Sequence, residues 1–256
     1  MKNPNSLSRR SLLKGAGLAG TAAASGLVAP TALAAHHEGE KKHLPKGSVV
    51  LFQGDSITDA GRNRKTEGKA NDQSMFGRGY PQFIGAYALA TAATAELKIY
   101  NRGISGNKVP DLDARWDKDC LDLKPALLSI LIGVNDIWHK LNGRYQGTVE
   151  DYEKGYTALL ERTKKALPEV KLVVCEPFVL KCGAVKDNWF PEMDERRAAA
   201  KRVAEAAGAV FVPFQSMFDE AVAAGTKPEY WARDGVHPTL AGHGLMAKTW
   251  IETVSA

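Results

Sequence analysis

A hydroxyl, an imidazole and a carboxylate are the parts of a proton relay. This chain carries them as Ser56 in VVLFQGDSITDAGR (49 to 62) and as Asp234 and His237 in DGVH (234 to 237). A serine hydroxyl is a weak nucleophile at neutral pH and needs a base that takes its proton during attack. His237 is the candidate base, because an imidazole can accept that proton and return it to a leaving group. Asp234, three residues earlier, can accept the imidazole Nδ1–H, which sets the tautomer and stabilises the imidazolium. Attack on an acyl carbon also needs donors aimed at the developing oxyanion. NRGISGN (101 to 107) offers glycine backbone able to approach a ligand, and IGVND (132 to 136) offers the Asn135 side-chain amide. The expected oxyanion donors are the Ser56 N–H, the Gly106 N–H and Asn135.

Groups this far apart in the chain need a scaffold that returns them to one edge. Short β-favouring apolar runs occur at 48 to 53, 97 to 101, 126 to 133, 170 to 176 and 209 to 214. Helical spacing fills 80 to 95, 108 to 119, 148 to 167, 191 to 207 and 240 to 253. Continuous apolar strands alternating with helices predict an α/β fold, a five-stranded parallel sheet covered on both faces in three layers. Right-handed crossovers favour a flavodoxin-like sheet, since five strands are too few for an eight-stranded barrel. Reactive groups in such sheets belong at the carboxyl ends of strands, where Ser56, Gly106 and Asn135 fall.

Singly these pieces are ordinary: Asp55 can be a helix cap, and a glycine can serve only a turn. Together and in this order, GDSIT, ISGN, GVND and DGVHP resemble the SGNH or GDSL hydrolase family, from about Val49 to Trp250. The resemblance implies Ser56 as nucleophile, His237 as base, Asp234 as its orienter, and Gly106 with Asn135 as oxyanion donors. GYPQFIGAY, NRGISGNKVPDLDARWDKD and IGVNDIWH are most similar to the bacterial acetyl-xylan esterase branch, whose members remove acetyl groups from xylo-oligosaccharides. YWARDGVHP departs from that pattern in the placing of Trp231.

The amino-terminal segment reads as an address rather than as fold. SRRSLLK (8 to 14) and the weakly apolar stretch to Ala32-Leu33-Ala34 look like a Tat signal over residues 1 to 34, cut after Ala34. A membrane anchor is the alternative, but the Gly, Ala and Thr content is poor for a permanent span. Residues 35 to 47 read as a flexible leader, and its His36, His37 and His43 as a solvated tail; residues 48 to 256 form one hydrolase domain. The signal holds Lys2, Arg9, Arg10 and Lys14 and no acid, which accounts for four of the five net positive charges. The remainder is near neutral, with no electrostatic case for nucleic acid and no stable membrane insertion after cleavage. Export to the periplasm or the medium is expected.

No paired Cys motif or HExxH occurs, so no metal is expected, and GISGN lacks the lysine and spacing of a phosphate loop, so no cofactor is. Cys120, Cys175 and Cys182 cannot all pair; a Cys175 to Cys182 bridge is open after export, with packing the simpler role for Cys175. The expected partner is a small acetylated carbohydrate. Trp138 and Trp231 are candidate aromatic platforms and Arg78 and Tyr80 candidate hydrogen-bonders, with core packing the competing role for each tryptophan. His139 is a candidate pocket residue, with a half-exposed surface role the equal alternative, and His243 a structural one. Two alternatives remain: a lysophospholipase or arylesterase on the same relay, and a carbohydrate-binding protein without turnover. Homo-oligomerisation is left open.

Overall fold

The computed structural model describes residues 44 to 255. The signal segment, and the leader as far as residue 43, lie outside the described residues. Among the described residues there are five strands, β1 (Val49–Gly54), β2 (Lys98–Asn101), β3 (Leu127–Leu131), β4 (Lys171–Cys175) and β5 (Val210–Val212). All pairings are parallel and the order is β2-β1-β3-β4-β5, the flavodoxin-like arrangement. The helices are α1 (Ser56–Asp59), α2 (Tyr80–Thr91), α3 (Val109–Ala114), α4 (Trp116–Asp119), α5 (Val134–Leu141), α6 (Val149–Ala166), α7 (Glu192–Ala207), α8 (Phe214–Ala223), α9 (Pro228–Trp231) and α10 (Leu240–Val254).

Successive strand residues point to opposite faces, and here both faces are apolar. Val50, Phe52, Leu127, Leu131, Val173 and Cys175 face one core, which includes Tyr80 and Ile84 of α2, Phe214 and Phe218 of α8, and Trp250 of α10. Leu51, Leu128, Ile130, Leu172 and Val174 face the other, with Leu112, Trp116, Tyr152, Tyr156 and Val203 from α3, α4, α6 and α7. Ser129 interrupts the first face and is satisfied there, accepting from Trp250 Nε1 at 2.9 Å. Helix starts carry their own stops: Thr148 and Asp151 form a capping box on α6, and Thr239 caps α10 by accepting from Gly242 N.

Two expectations are corrected, and the open question of the cysteines is answered. The leader ends earlier than expected: Leu44 packs on the core, Gly47 N donates to Ala95 O at 2.8 Å, and Lys46 pairs with Glu96. The last strand stops at Val212 because Pro213 cannot donate to a ladder, and Phe214 already begins α8. The cysteines are free and buried; Cys182 Sγ lies 3.1 Å from Ala232 O and Cys175 Sγ 3.6 Å from Ser129 Oγ, so no 175 to 182 bridge forms.

Candidate active site

β1 and β3 are adjacent, with Gly54 opposite Leu131; the chain passes from β1 to β2 on one side and then crosses from β2 to β3 on the other side of β1. This is the switch point at which open parallel sheets have a crevice beyond their carboxyl ends. Ser56, Gly106 and Asn135 follow β1, β2 and β3 and so come from three neighbouring strands. Gly54 lets the turn into α1 form: its φ is +155°, and a side chain there would collide with Leu131 O and Thr58. Asp55 then caps α1 by accepting from Ile57 N at 3.0 Å, the structural role foreseen as an alternative.

The fourth segment arrives from the loop between α9 and α10. An antiparallel bridge between Ala232 and Pro238 closes that loop. The stretch after β4 clasps it: Leu180 N donates to Gly235 O at 2.8 Å and Ala184 N to Asp234 O at 2.9 Å. Gly183 lies inside the clasp with φ +56°, and a Cβ there would strike the Asp234 backbone. Gly183→Ala therefore combines left-handed strain with overpacking and should cost about 2–4 kcal/mol. A urea midpoint equal to that of the parent would contradict this contact.

The relay groups meet. Ser56 Oγ lies 2.8 Å from His237 Nε2, and His237 Nδ1 lies 2.7 Å from Asp234 Oδ2. Asp234 Oδ1 accepts from the backbone N–H of Val236 and His237 at 3.0 and 2.7 Å. Burial alone would raise the Asp234 pKa, but these hydrogen bonds and the His237 side chain outweigh it and hold the carboxyl below its ordinary range. An ionised carboxylate only accepts, so Nδ1 carries the imidazole proton and Nε2 presents a lone pair to the serine O–H.

Gly106 sits in a turn closed by Asn107 N donating to Ile104 O, with φ +84°, open to left-handed backbone at little cost only for glycine. The turn is tied to α1: Ser105 N and Oγ both donate to Asp59 Oδ2, Arg62 Nε to Gly103 O at 2.7 Å, and Asn101 Nδ2 to Thr58 O at 2.7 Å. Asn135 Nδ2 donates to Asn107 O at 3.2 Å, which brings the amide beside this turn. Asn135, Trp138 and His139 are spaced i, i+3, i+4 on α5 and share one face of it. The Trp138 ring lies 5.8 Å from that of His237 and 5.6 Å from the buried Trp189. His139 is half-buried, with Cε1 3.9 Å from where a Gly106 side chain would stand. Arg78 is exposed, its guanidinium beside Gly61.

Two candidate ligand residues are placed elsewhere. Tyr80 is fully buried, its hydroxyl 3.1 Å from Thr58 Oγ1 and its ring between Phe52 and Phe214, so it has no surface to offer a substrate. Trp231 packs on Phe218 and Tyr230, and its N–H is taken by Thr226 Oγ1 at 2.7 Å, a staple between α9 and the end of α8. His243 is structural as expected: it is buried, its Nδ1 accepts from Tyr80 N, and burial pushes its pKa down to about 4. Asp59, Arg62, Asn101, Trp189 and Arg115 were missed. Their signal was faint: Asp59, Arg62, Asn101 and Arg115 are polar side chains in or beside the motifs, which burial turns into braces, and Trp189 is a buried aromatic outside them.

Two carboxyls flank the machinery in apolar surroundings. Burial, with some repulsion from Asp136, pushes Asp55 up to about 7; burial pushes Asp136 up to about 6. Each has one buried oxygen without a hydrogen-bond partner. The folded state thus keeps a proton on Asp55 that the unfolded chain releases in the ordinary carboxylate range. This contribution to stability is complete in acid and lost as pH rises through about 7. Asp55→Asn keeps the capping oxygen and removes the titration. Its melting temperature relative to the parent should therefore rise between pH 6 and pH 8; a constant difference across that range would mean that burial does not hold the proton on Asp55.

The sheet is of the open, parallel α/β class, and beyond its carboxyl edge a serine hydroxyl, an imidazole and a carboxylate stand in hydrogen-bonding sequence. Residues 52–245 match the GDSL-like lipase/acylhydrolase family model. The chain is 34% identical over 216 residues to an acetylxylan esterase of Geobacillus stearothermophilus, covering 82% of this chain and 95% of that one. Among solved structures, that enzyme superposes with a TM-score of 0.73 at 33% identity, covering 82% and 95% of the two chains. A protein of Parabacteroides merdae described as a GDSL-like lipase superposes with a TM-score of 0.81 at 49% identity, covering 84% of this chain and 100% of that one. The chain belongs to the GDSL-like lipase/acylhydrolase family and is a carboxylic ester hydrolase.

Proposed function

We propose that this protein is an exported serine esterase that removes O-acetyl groups from carbohydrates, xylo-oligosaccharides first among them. The observation that carries this reading is the continuous contact from Ser56 Oγ through His237 to Asp234, with the Trp138 indole beside the imidazole. Ser56 Oγ attacks the acetyl carbonyl carbon while its proton passes to His237 Nε2. The oxyanion is met by the Ser56 and Gly106 N–H groups and by Asn135 Nδ2–H. Collapse breaks the ester bond, and His237 protonates the departing sugar oxygen. Water, deprotonated by the same imidazole, then frees acetate and restores Ser56.

A sugar ring offers apolar C–H faces that suit an indole, and Trp138, its ring 5.8 Å from that of His237, is the candidate surface for the leaving-group sugar. Arg78 is the further candidate for hydrogen bonds to hydroxyls. The 34% identical relative is an acetylxylan esterase, which favours acetylated xylose units over other acyl donors. The twin-arginine segment suits a substrate derived from a polymer outside the cytoplasm, and no helix among the described residues is long and apolar enough to cross a membrane. Acetate release from acetylated xylo-oligosaccharides, set against 4-nitrophenyl esters of increasing chain length, tests the substrate. The expected result is a preference for acetyl. A kcat/KM that climbs beyond about eight carbons, at roughly 0.8 kcal/mol per buried CH₂, would assign the site to lipid-like esters instead.

A further inference from the structure

The relay makes no use of Arg115, whose guanidinium joins the nucleophile strand to the Gly106 turn. Arg115 stands between α3 and α4, its side chain 15% exposed. Its Nε donates to Asn107 Oδ1 at 2.8 Å, one Nη to Asp119 Oδ2 at 3.1 Å, and the other Nη to Gly54 O at 3.4 Å. Gly54 is two residues before Ser56, and Asn107 is the residue after Gly106. The backbone oxygen of Asn107 accepts one N–H of Asn135 at 3.2 Å. A side-chain amide has two N–H groups in one plane, so fixing the first fixes where the second points.

The geometry points to Arg115 as a positioning residue for the oxyanion hole: it holds Asn107, and through the Asn107 carbonyl it aims the free N–H of Asn135. Asp119 anchors the guanidinium, and the planar fork then serves Asn107 and Gly54 together, which a single ammonium cannot do. Arg115 acts through Asn107 and touches no reacting atom. The inference rests on the oxyanion role proposed for Asn135.

The test compares Arg115→Lys, Asn107→Ala, their double variant and Asn135→Ala. It reads kcat and KM on 4-nitrophenyl acetate and the affinity of a trifluoromethyl ketone that forms a tetrahedral adduct with serine. Loss of an oxyanion donor costs about 100- to 1,000-fold in kcat, and its misdirection should cost about 10- to 100-fold. Arg115→Lys and Asn107→Ala should each show that loss with KM within about 2-fold of the parent, and ketone affinity should fall in step with kcat. The double variant should lose no more than the worse single one, because both substitutions cut the same link. A general structural defect would not weaken the ketone in proportion to kcat. If Arg115→Lys does not fold, Asn107→Ala decides alone: a kcat loss with unchanged KM supports the link, and parent kcat overturns it. Losses that multiply in the double variant also overturn it. Parent-like kcat in Asn135→Ala would instead remove the oxyanion reading itself, whereas a large loss there with none at Arg115 and Asn107 removes only the positioning role.

Discussion

Ser56→Ala is expected to lower kcat on 4-nitrophenyl acetate about a million-fold while leaving the fold intact, by analogy with removal of the nucleophile in subtilisin. The reason is local. Ser56 Oγ is the atom facing His237 Nε2 at 2.8 Å, and alanine leaves the imidazole without a hydroxyl to activate. The proposed oxyanion donors remain, the backbone N–H of residue 56 included, so a residual rate above that in water should survive. Alanine at the start of a four-residue helix removes no cap, because Asp55 supplies it. Melting temperature should therefore move little, and activity near that of the parent would place the nucleophile elsewhere.

Asp234→Asn is the second large effect, expected at about 10,000-fold in kcat, the size of the loss that the same exchange causes in a Ser-His-Asp protease. Asp234 Oδ1 already takes the backbone N–H groups of Val236 and His237, so an asparagine oxygen is held in that position. Its NH₂ group then faces Nδ1, where Oδ2 stood 2.7 Å away. Two donors cannot share that contact, so the proton is driven from Nδ1 to Nε2 and the base loses the lone pair aimed at Ser56. The pH–rate profile separates this from a collapsed loop: a wrong tautomer keeps KM and lowers kcat across the range, with recovery only where hydroxide can take part. A modest loss, about 10-fold or less, would mean that Asp234 only shapes the loop.

The sheet was legible in the sequence because its strands are buried on both faces and read as unbroken apolar runs bounded by polar segments. Residues 126 to 133 and 170 to 176 overshoot β3 and β4 by only a residue or two at their ends. The long helices were legible through their spacing. α5 and α8 were not: VNDIWHKL has only eight residues, directly after a strand, and FQSMFDEAVA follows Pro213 with its aromatic residues continuing the apolar run of β5. Motif residues that must stand at a strand end could be placed by position along the chain. Side chains whose direction depends on helix rotation could not, and Tyr80 shows why: as the first residue of α2 it can turn to the crevice or to the core, and packing against Phe52 and Phe214 took it inward. Trp138 met the same choice on α5 and lies beside His237. Arg62, Asn101 and Arg115 looked like ordinary polarity of a loop, a strand end and a helix, since nothing in a single sequence marks which polar side chains will be enclosed.

A relay of Ser56, His237 and Asp234 is best tested by covalent capture. A fluorophosphonate reacts with a serine only when a neighbouring base withdraws its proton, and peptide mapping by mass spectrometry locates the label. One phosphonyl group per chain is expected, on Ser56, with labelling that all but stops in His237→Ala. A label on any other residue, or undiminished labelling of Ser56 without the imidazole, would contradict it.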